Sequence, residues 1–221
     1  MTTTSNHPQV IFIGIAGPSG CGKTTYAKHL VDHLHSPLHL IELDHFYFRP
    51  VTIDHPILGR IKSDEEPDTL HIQSLLTLIR QIKYEPEKLT RYHQNDISIN
   101  NNKYIFVIIE GFLLFALSDE LTNMFDIRIF FESTQSECRM KRYRRHSRIH
   151  DTIPDERIII PNEFQQWFDH LVWTEYLKRR DLQISKAEKI FHFEEYQDKQ
   201  YIQLDNYIDK RLKDIIDKRK T

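Results

Sequence analysis

The chain has 221 residues, with 30 Lys and Arg against 32 Asp and Glu and a formal charge of −2, a balance that offers no global field for nucleic acid or a membrane surface. Two cysteines are too few for a disulfide framework and suit a reducing compartment. The N-terminal M-T-T-T-S-N-H-P lacks the basic start of a signal peptide, and the apolar run behind it is too short to span a bilayer. The expectation is a soluble cytoplasmic protein, the nucleus left open, forming a single domain over residues 1–221.

In chain order, Val10, Ile11, Phe12, Ile13 and Ile15 form a continuous apolar run, as in a parallel strand buried on both faces. The run breaks into G-P-S-G-C-G-K-T-T, which has the spacing Gly17-x-x-x-x-Gly22-Lys23-Thr24. Such a loop lets successive backbone N–H groups turn inward around phosphate oxygens, while its Lys reaches the β- and γ-phosphates and its hydroxyl binds Mg²⁺. Gly17, Pro18, Ser19, Gly20, Cys21, Gly22, Lys23, Thr24 and Thr25 are therefore expected to hold a polyphosphate. Behind them Tyr26, Ala27, Leu30, Val31 and Leu34 recur at helical spacing.

Four more strands are expected over 38–44, 104–110, 125–131 and 189–193. Helices are expected where Ile72 to Ile82, Phe164 to Val172 and Tyr201 to Ile215 repeat apolar residues at three and four. The polar, Asn-rich stretch 86–103 reads as a surface loop. Strands alternating with helices predict an α/β fold: a five-stranded parallel sheet with helices on both faces, its ligands beyond the carboxyl ends of the strands.

Two carboxylates fall at that edge. Asp44 closes the second apolar run and is expected to deprotonate an acceptor hydroxyl, to help hold Mg²⁺ through water, or both; a turn cap is the structural alternative. Glu110 ends I-F-V-I-I-E-G, and Gly111 lets the chain leave the strand sharply. Glu110 is expected to order the metal's water shell, with a turn residue as the alternative. The segment C138-R-M-K-R-Y-R-R-H-S-R148 is densely basic. In a chain of net −2 it is read as a lid over about 142–162 that brings cations to a migrating phosphoryl group. Lys141, Arg142 and Arg145 are expected to face the site, and Arg139, Arg144 and Arg148 to be solvated. His29 with His33 and His146 with His150 have i, i+4 spacing, but neither pair shows a third ligand in the sequence. Trp167 and Trp173 read as core, and Asp169 as structural.

These residues together resemble the uridine kinase-like phosphate-loop kinases, and among them the nicotinamide riboside kinase branch. The resemblance rests on G-I-A-G-P-S-G-C-G-K-T-T, L-D44-H-F-Y47, I-I-E110-G-F-L-L-F115, F-D126, K141-R142-x-x-R145 and W167-F-D-H-L-V-W-T-E-Y-L177. It implies the P-loop NTPase/nucleoside kinase fold, ATP as co-substrate with Mg²⁺, and phosphorylation of the ribose 5′-hydroxyl of nicotinamide riboside to the mononucleotide used in NAD salvage. Uridine/cytidine kinase is the alternative. It further implies Asp44 as general base, Thr24 as metal residue, and Asp44, His45, Phe46 and Tyr47 against the riboside. Lys141 falls on an ATP-contacting position and Arg142 on a substrate-contacting one. In the ribose-binding stretch S63-D-E-E-P67, Glu65 takes the family's Asp position and Asp64 the aromatic one. The loss of that aromatic wall bears on base specificity more than on the reaction; His45 replaces a second acid, and Lys141 replaces a common Arg, a point charge in place of a fork. Partners are expected to be a small nucleoside and ATP, with no nucleic acid and no membrane, in a monomer or weak homo-oligomer. A GTPase switch is excluded by the lack of Asn-Lys-x-Asp, since N102-K-Y-I105 carries no Asp.

Overall fold

A computed structural model describes residues 8–85, 88, 103–150, 152–195 and 201–220. Apart from Lys88 and Lys103, the expected surface loop at 86–103 lies outside them. Strands β1 (Gln9–Ala16), β2 (Ile41–Glu42), β3 (Val51–His55), β4 (Gly59–Ser63), β5 (Tyr104–Gly111), β6 (Ile127–Glu132) and β7 (Lys189–His192) alternate with helices α1 (Lys23–His33), α2 (Ile72–Tyr84), α3 (Asp119–Thr122), α4 (Gln135–Ser147), α5 (Asn162–Trp167), α6 (Trp173–Lys186) and α7 (Ile202–Lys220). Five strands form one parallel sheet in the order β2-β5-β1-β6-β7. This is the predicted sheet.

Two-residue alternation divides its side chains between two cores. Phe12 and Ala16 of β1 join Ile105, Val107 and Ile109 of β5 under α2, whose Leu75, Leu76, Ile79 and Ile82 are buried. Ile11, Ile13 and Ile15 face the other way, with Ile127, Ile129 and Phe131, beneath α1 and α7. The central strand is apolar on both faces because helices cover both, which is why its run does not alternate.

Three departures from the expected elements have physical causes. The run 38–44 pairs as a strand only at Ile41–Glu42, and Leu43–Phe46 form a 3₁₀ turn, so Asp44 sits in a turn beyond the strand end. The turn is held by Leu43, fully buried against Gly111. A Cβ on Gly111 would lie 2.5 Å from the Leu43 Cβ, so Gly111 supplies space for this approach; its φ is not in the left-handed region. The hairpin β3–β4 was not foreseen. His55 secures it: Nδ1 accepts the N–H groups of Ile57 and Leu58 at 3.2 and 3.1 Å, and Nε2 lies 3.1 Å from the His170 carbonyl. The helix around Trp167 is also far longer than expected. Residues 162–186 are continuous, with a π turn at Phe168–Val172 that turns Phe168, Leu171 and Val172 into the core. Trp167 and Trp173 flank that core, and Asp169 receives an ion pair from Arg139 at 2.6 Å. Arg139 is thus a structural tie rather than a solvated charge.

Candidate active site

The carboxyl ends of β1, β2 and β5 open on a cavity of about 850 Å³. From the sequence-predicted residues it brings together Ser19, Gly20, Cys21, Gly22, Lys23, Thr24, Thr25, Asp44, Tyr47, Glu65, Glu110, Lys141, Arg142 and Arg145. Gly17 and Pro18 shape the loop from behind, and His45, Phe46 and Asp64 are not on the wall. Phe46 packs instead against the core below the turn, and His45 and Asp64 are exposed. The Asp64 carbonyl accepts a hydrogen bond from the Tyr47 hydroxyl at 3.2 Å.

The phosphate loop runs from the end of β1 to α1, whose N-cap, Gly22, has φ +102° and offers no capping side chain. The first N–H groups of α1 are left for a ligand, at the positive end of the helix dipole. Gly20, at φ +91°, passes so close to α4 that a Cβ there would lie 2.5 Å from the Cys138 carbonyl oxygen. Lys23 is buried and donates to the Pro18 carbonyl at 3.0 Å, curled over the loop. The thiols beside it are inert: burial raises the pKa of Cys21 and pushes that of Cys138 up to about 12.

Thr24 donates from Oγ1 to Glu110 Oε1 at 2.8 Å. Glu110 is 5% exposed; burial raises its pKa, opposed by Lys23 and by the Thr24 hydrogen bond. Glu42 lies beside it in register on β2. A hydroxyl and a buried carboxylate in contact, with Asp44 on the same wall, form an all-oxygen set that fits Mg²⁺.

Helix α4 adds cations to the lining. Lys141, Arg142 and Arg145 share one face of α4 because residues three and four apart are neighbours on a helix. Arg142 donates to Ser19 Oγ, lies 3.6 Å from Glu65 Oε1, and stacks 5.7 Å from the Trp167 ring. Arg145 reaches the same Ser19 Oγ at 3.4 Å, and burial followed by its Arg142 neighbour lowers its pKa. Glu65 is 4% exposed, and burial lifts its pKa to about 7 against the pull of Arg142. Tyr47 stacks on Phe112 with centroids 6.3 Å apart and planes at 24°, so this pair gives the cavity a stacked aromatic surface. Burial raises the Tyr47 pKa, with Glu65 and Asp44 adding to it, so the phenol stays neutral.

Sequence reasoning missed several lining residues: Lys28, Glu42, Phe112, Arg144, Arg148, Ile149, His150 and Tyr201. Arg144 is not solvated; it donates to the Asp155 carboxylate and to the carbonyls of His150 and Ile153, folding the chain after α4 back onto it. Phe112 directly follows E110-G and was legible in that sense. Tyr201 had no local signal, because tertiary packing alone brings the start of α7 to α1.

A family profile described as RNA helicase matches residues 13–56, under half the chain, with the phosphate loop near the start of the match. The uridine kinase of Halobacterium salinarum is 32% identical over 141 residues, 59% of this chain and 59% of that protein. The uridine kinase of Bacillus cereus strain AH187 is 32% identical over 148 residues, 62% of this chain and 66% of that protein. The chain thus spans about three fifths of the length of the curated relatives it matches. Phosphoribulokinase from Rhodobacter spheroides superposes with a TM-score of 0.50 at 10% identity, covering 85% of this chain and 70% of that one. The fold is that of the phosphate-loop kinases. No helix among the described residues is long and apolar enough to cross a membrane.

Proposed function

We propose that this protein is an ATP-dependent nucleoside kinase that transfers a phosphoryl group to the ribose 5′-hydroxyl, with nicotinamide riboside as its substrate. The observation that carries the reading is one cavity lined by a phosphate loop, by the α4 cations Lys141, Arg142 and Arg145, and by the carboxylates of Asp44, Glu65 and Glu110. Phosphoryl transfer calls for positioning and charge stabilisation, and each group has a part in that. The N–H groups of the loop and Lys23 hold the β- and γ-phosphates. Thr24 and Glu110 would hold Mg²⁺, with Asp44 in its water shell, and the ion would supply charge neutralisation for the phosphates. Asp44 takes the proton of the acceptor hydroxyl. Lys141, just before a lid over about 142–162, and Arg142 and Arg145 within it stabilise the migrating group, and Glu65 accepts hydrogen bonds from ribose hydroxyls beside Arg142.

Nicotinamide riboside is favoured by E110-G-F-L-L-F115 and W167-F-D-H-L-V-W-T-E-Y-L177, and by a wall where carboxylates meet the stacked faces of Tyr47 and Phe112, suited to a flat cation. The second reading, a uridine/cytidine kinase, is favoured by the relatives named uridine kinase. An ADP-release assay with nicotinamide riboside, uridine and cytidine separates them. The expected result is the highest kcat/KM for nicotinamide riboside. A higher value for uridine or cytidine gives the second reading, and ADP release with none of the three overturns both.

A further inference from the structure

The i, i+4 pair His29 and His33 has no third ligand visible along the sequence, but the tertiary structure supplies one. The two imidazoles project from α1 toward α7, with their rings stacked at 17° and centroids 5.9 Å apart. From α7, Asp205 and Asp209, also i, i+4, meet them one to one. His29 Nε2 lies 2.8 Å from Asp205 Oδ2 and His33 Nε2 lies 3.1 Å from Asp209 Oδ1. Donor atoms of His29, His33 and Asp205 all lie within 4.8 Å of one another. None of the four residues lines the cavity that holds the phosphate loop.

We propose that His29, His33 and Asp205, with Asp209 as fourth donor, form a site for a borderline transition dication of the Zn²⁺ class that clamps α1 to α7. Imidazole nitrogens select Zn²⁺, Co²⁺ or Ni²⁺ over Mg²⁺ and Ca²⁺, which take oxygen shells, so the site differs in kind from Thr24 and Glu110. Two nitrogens and two carboxylate oxygens make a neutral tetrahedral set for a dication. With metal–ligand bonds of about 2.1 Å a tetrahedron has edges of about 3.4 Å, so the donors of His29, His33 and Asp205 must draw in from within 4.8 Å of one another, and Asp209, now in contact with His33, must swing further toward His29 and Asp205. His33 can do so, being at the surface, while Asp205 is anchored: the Tyr26 hydroxyl donates to its Oδ1 at 3.2 Å. That outer hydrogen bond leaves Oδ2 aimed at the histidines and orients the ligand as outer partners do at metal sites.

The test is titration of the full chain with Zn²⁺, and with Co²⁺ as a visible probe, in saturating Mg²⁺. The expected result is one ion per chain, a rise in Tm, and the intense visible bands of tetrahedral Co²⁺. His33→Gln and Asp205→Asn should each weaken Zn²⁺ binding at least tenfold. His33→Gln changes a surface residue, and its Tm without zinc verifies that it folds. Failure to bind stoichiometrically, or equal affinity in wild type and His33→Gln, would overturn the proposal and leave the histidine–aspartate contacts as interhelical hydrogen bonds only.

Discussion

Glu65 offers a quantitative check on the electrostatics of the cavity. Its carboxyl is 4% exposed, and burial outweighs Arg142 at 3.6 Å, so its pKa rises from 4.5 to about 7. Between those values the unfolded chain has released the proton and the folded protein retains it. The associated stability is therefore fully present below about pH 4.5 and lost as pH rises through about 7. At about 1.4 kcal/mol per pH unit the whole interval amounts to about 3–4 kcal/mol, of which about 2–3 kcal/mol falls between pH 5 and pH 8. Glu65→Gln keeps the shape and removes the titration. Urea unfolding of both proteins at pH 5 and pH 8 isolates the effect, because other titrating groups cancel in the double difference. The variant should gain about 2–3 kcal/mol on wild type between the two pH values. An identical stability difference at pH 5 and pH 8 would refute the account and place the Glu65 carboxyl in contact with water.

Three further outcomes follow from the same geometry. Lys23→Ala should abolish ATP turnover while leaving Tm within a few degrees, because the Lys23 ammonium serves the loop rather than either core; wild-type turnover would remove the phosphate-loop reading. Asp44→Asn should lower kcat by ~100-fold or more with little change in ATP affinity, measured by steady-state kinetics and nucleotide titration; a loss confined to ATP binding would move the base role away from Asp44. Gly111→Ala should cost about 1–3 kcal/mol by thermal or urea unfolding and lower kcat as well, since the new methyl group pushes Leu43 and with it the turn that carries Asp44. An unchanged kcat there would show that the turn's position does not matter to turnover.

The sequence by itself determined the parallel sheet and the phosphate loop, since both are written in local patterns: an apolar run over β1, a glycine spacing, and helical repeats between strands. It also placed Glu110 at a strand end, because a carboxylate after five apolar residues marks where the buried run of β5 stops. Asp44 was found for its chemistry but assigned the wrong local structure, because strand pairing depends on a neighbour, and β5 meets this segment for two residues only. The reason for Gly111 lay in Leu43, a contact between distant parts of the chain. Arg144 looked like a solvated charge until the fold brought Asp155 and two carbonyls to it. Asp205 and Asp209 reach His29 and His33 only because α7 packs along α1. Spacing along one helix is legible in one dimension. Which helix lies opposite is decided by burial of apolar faces over the whole molecule, and that determines which charges meet.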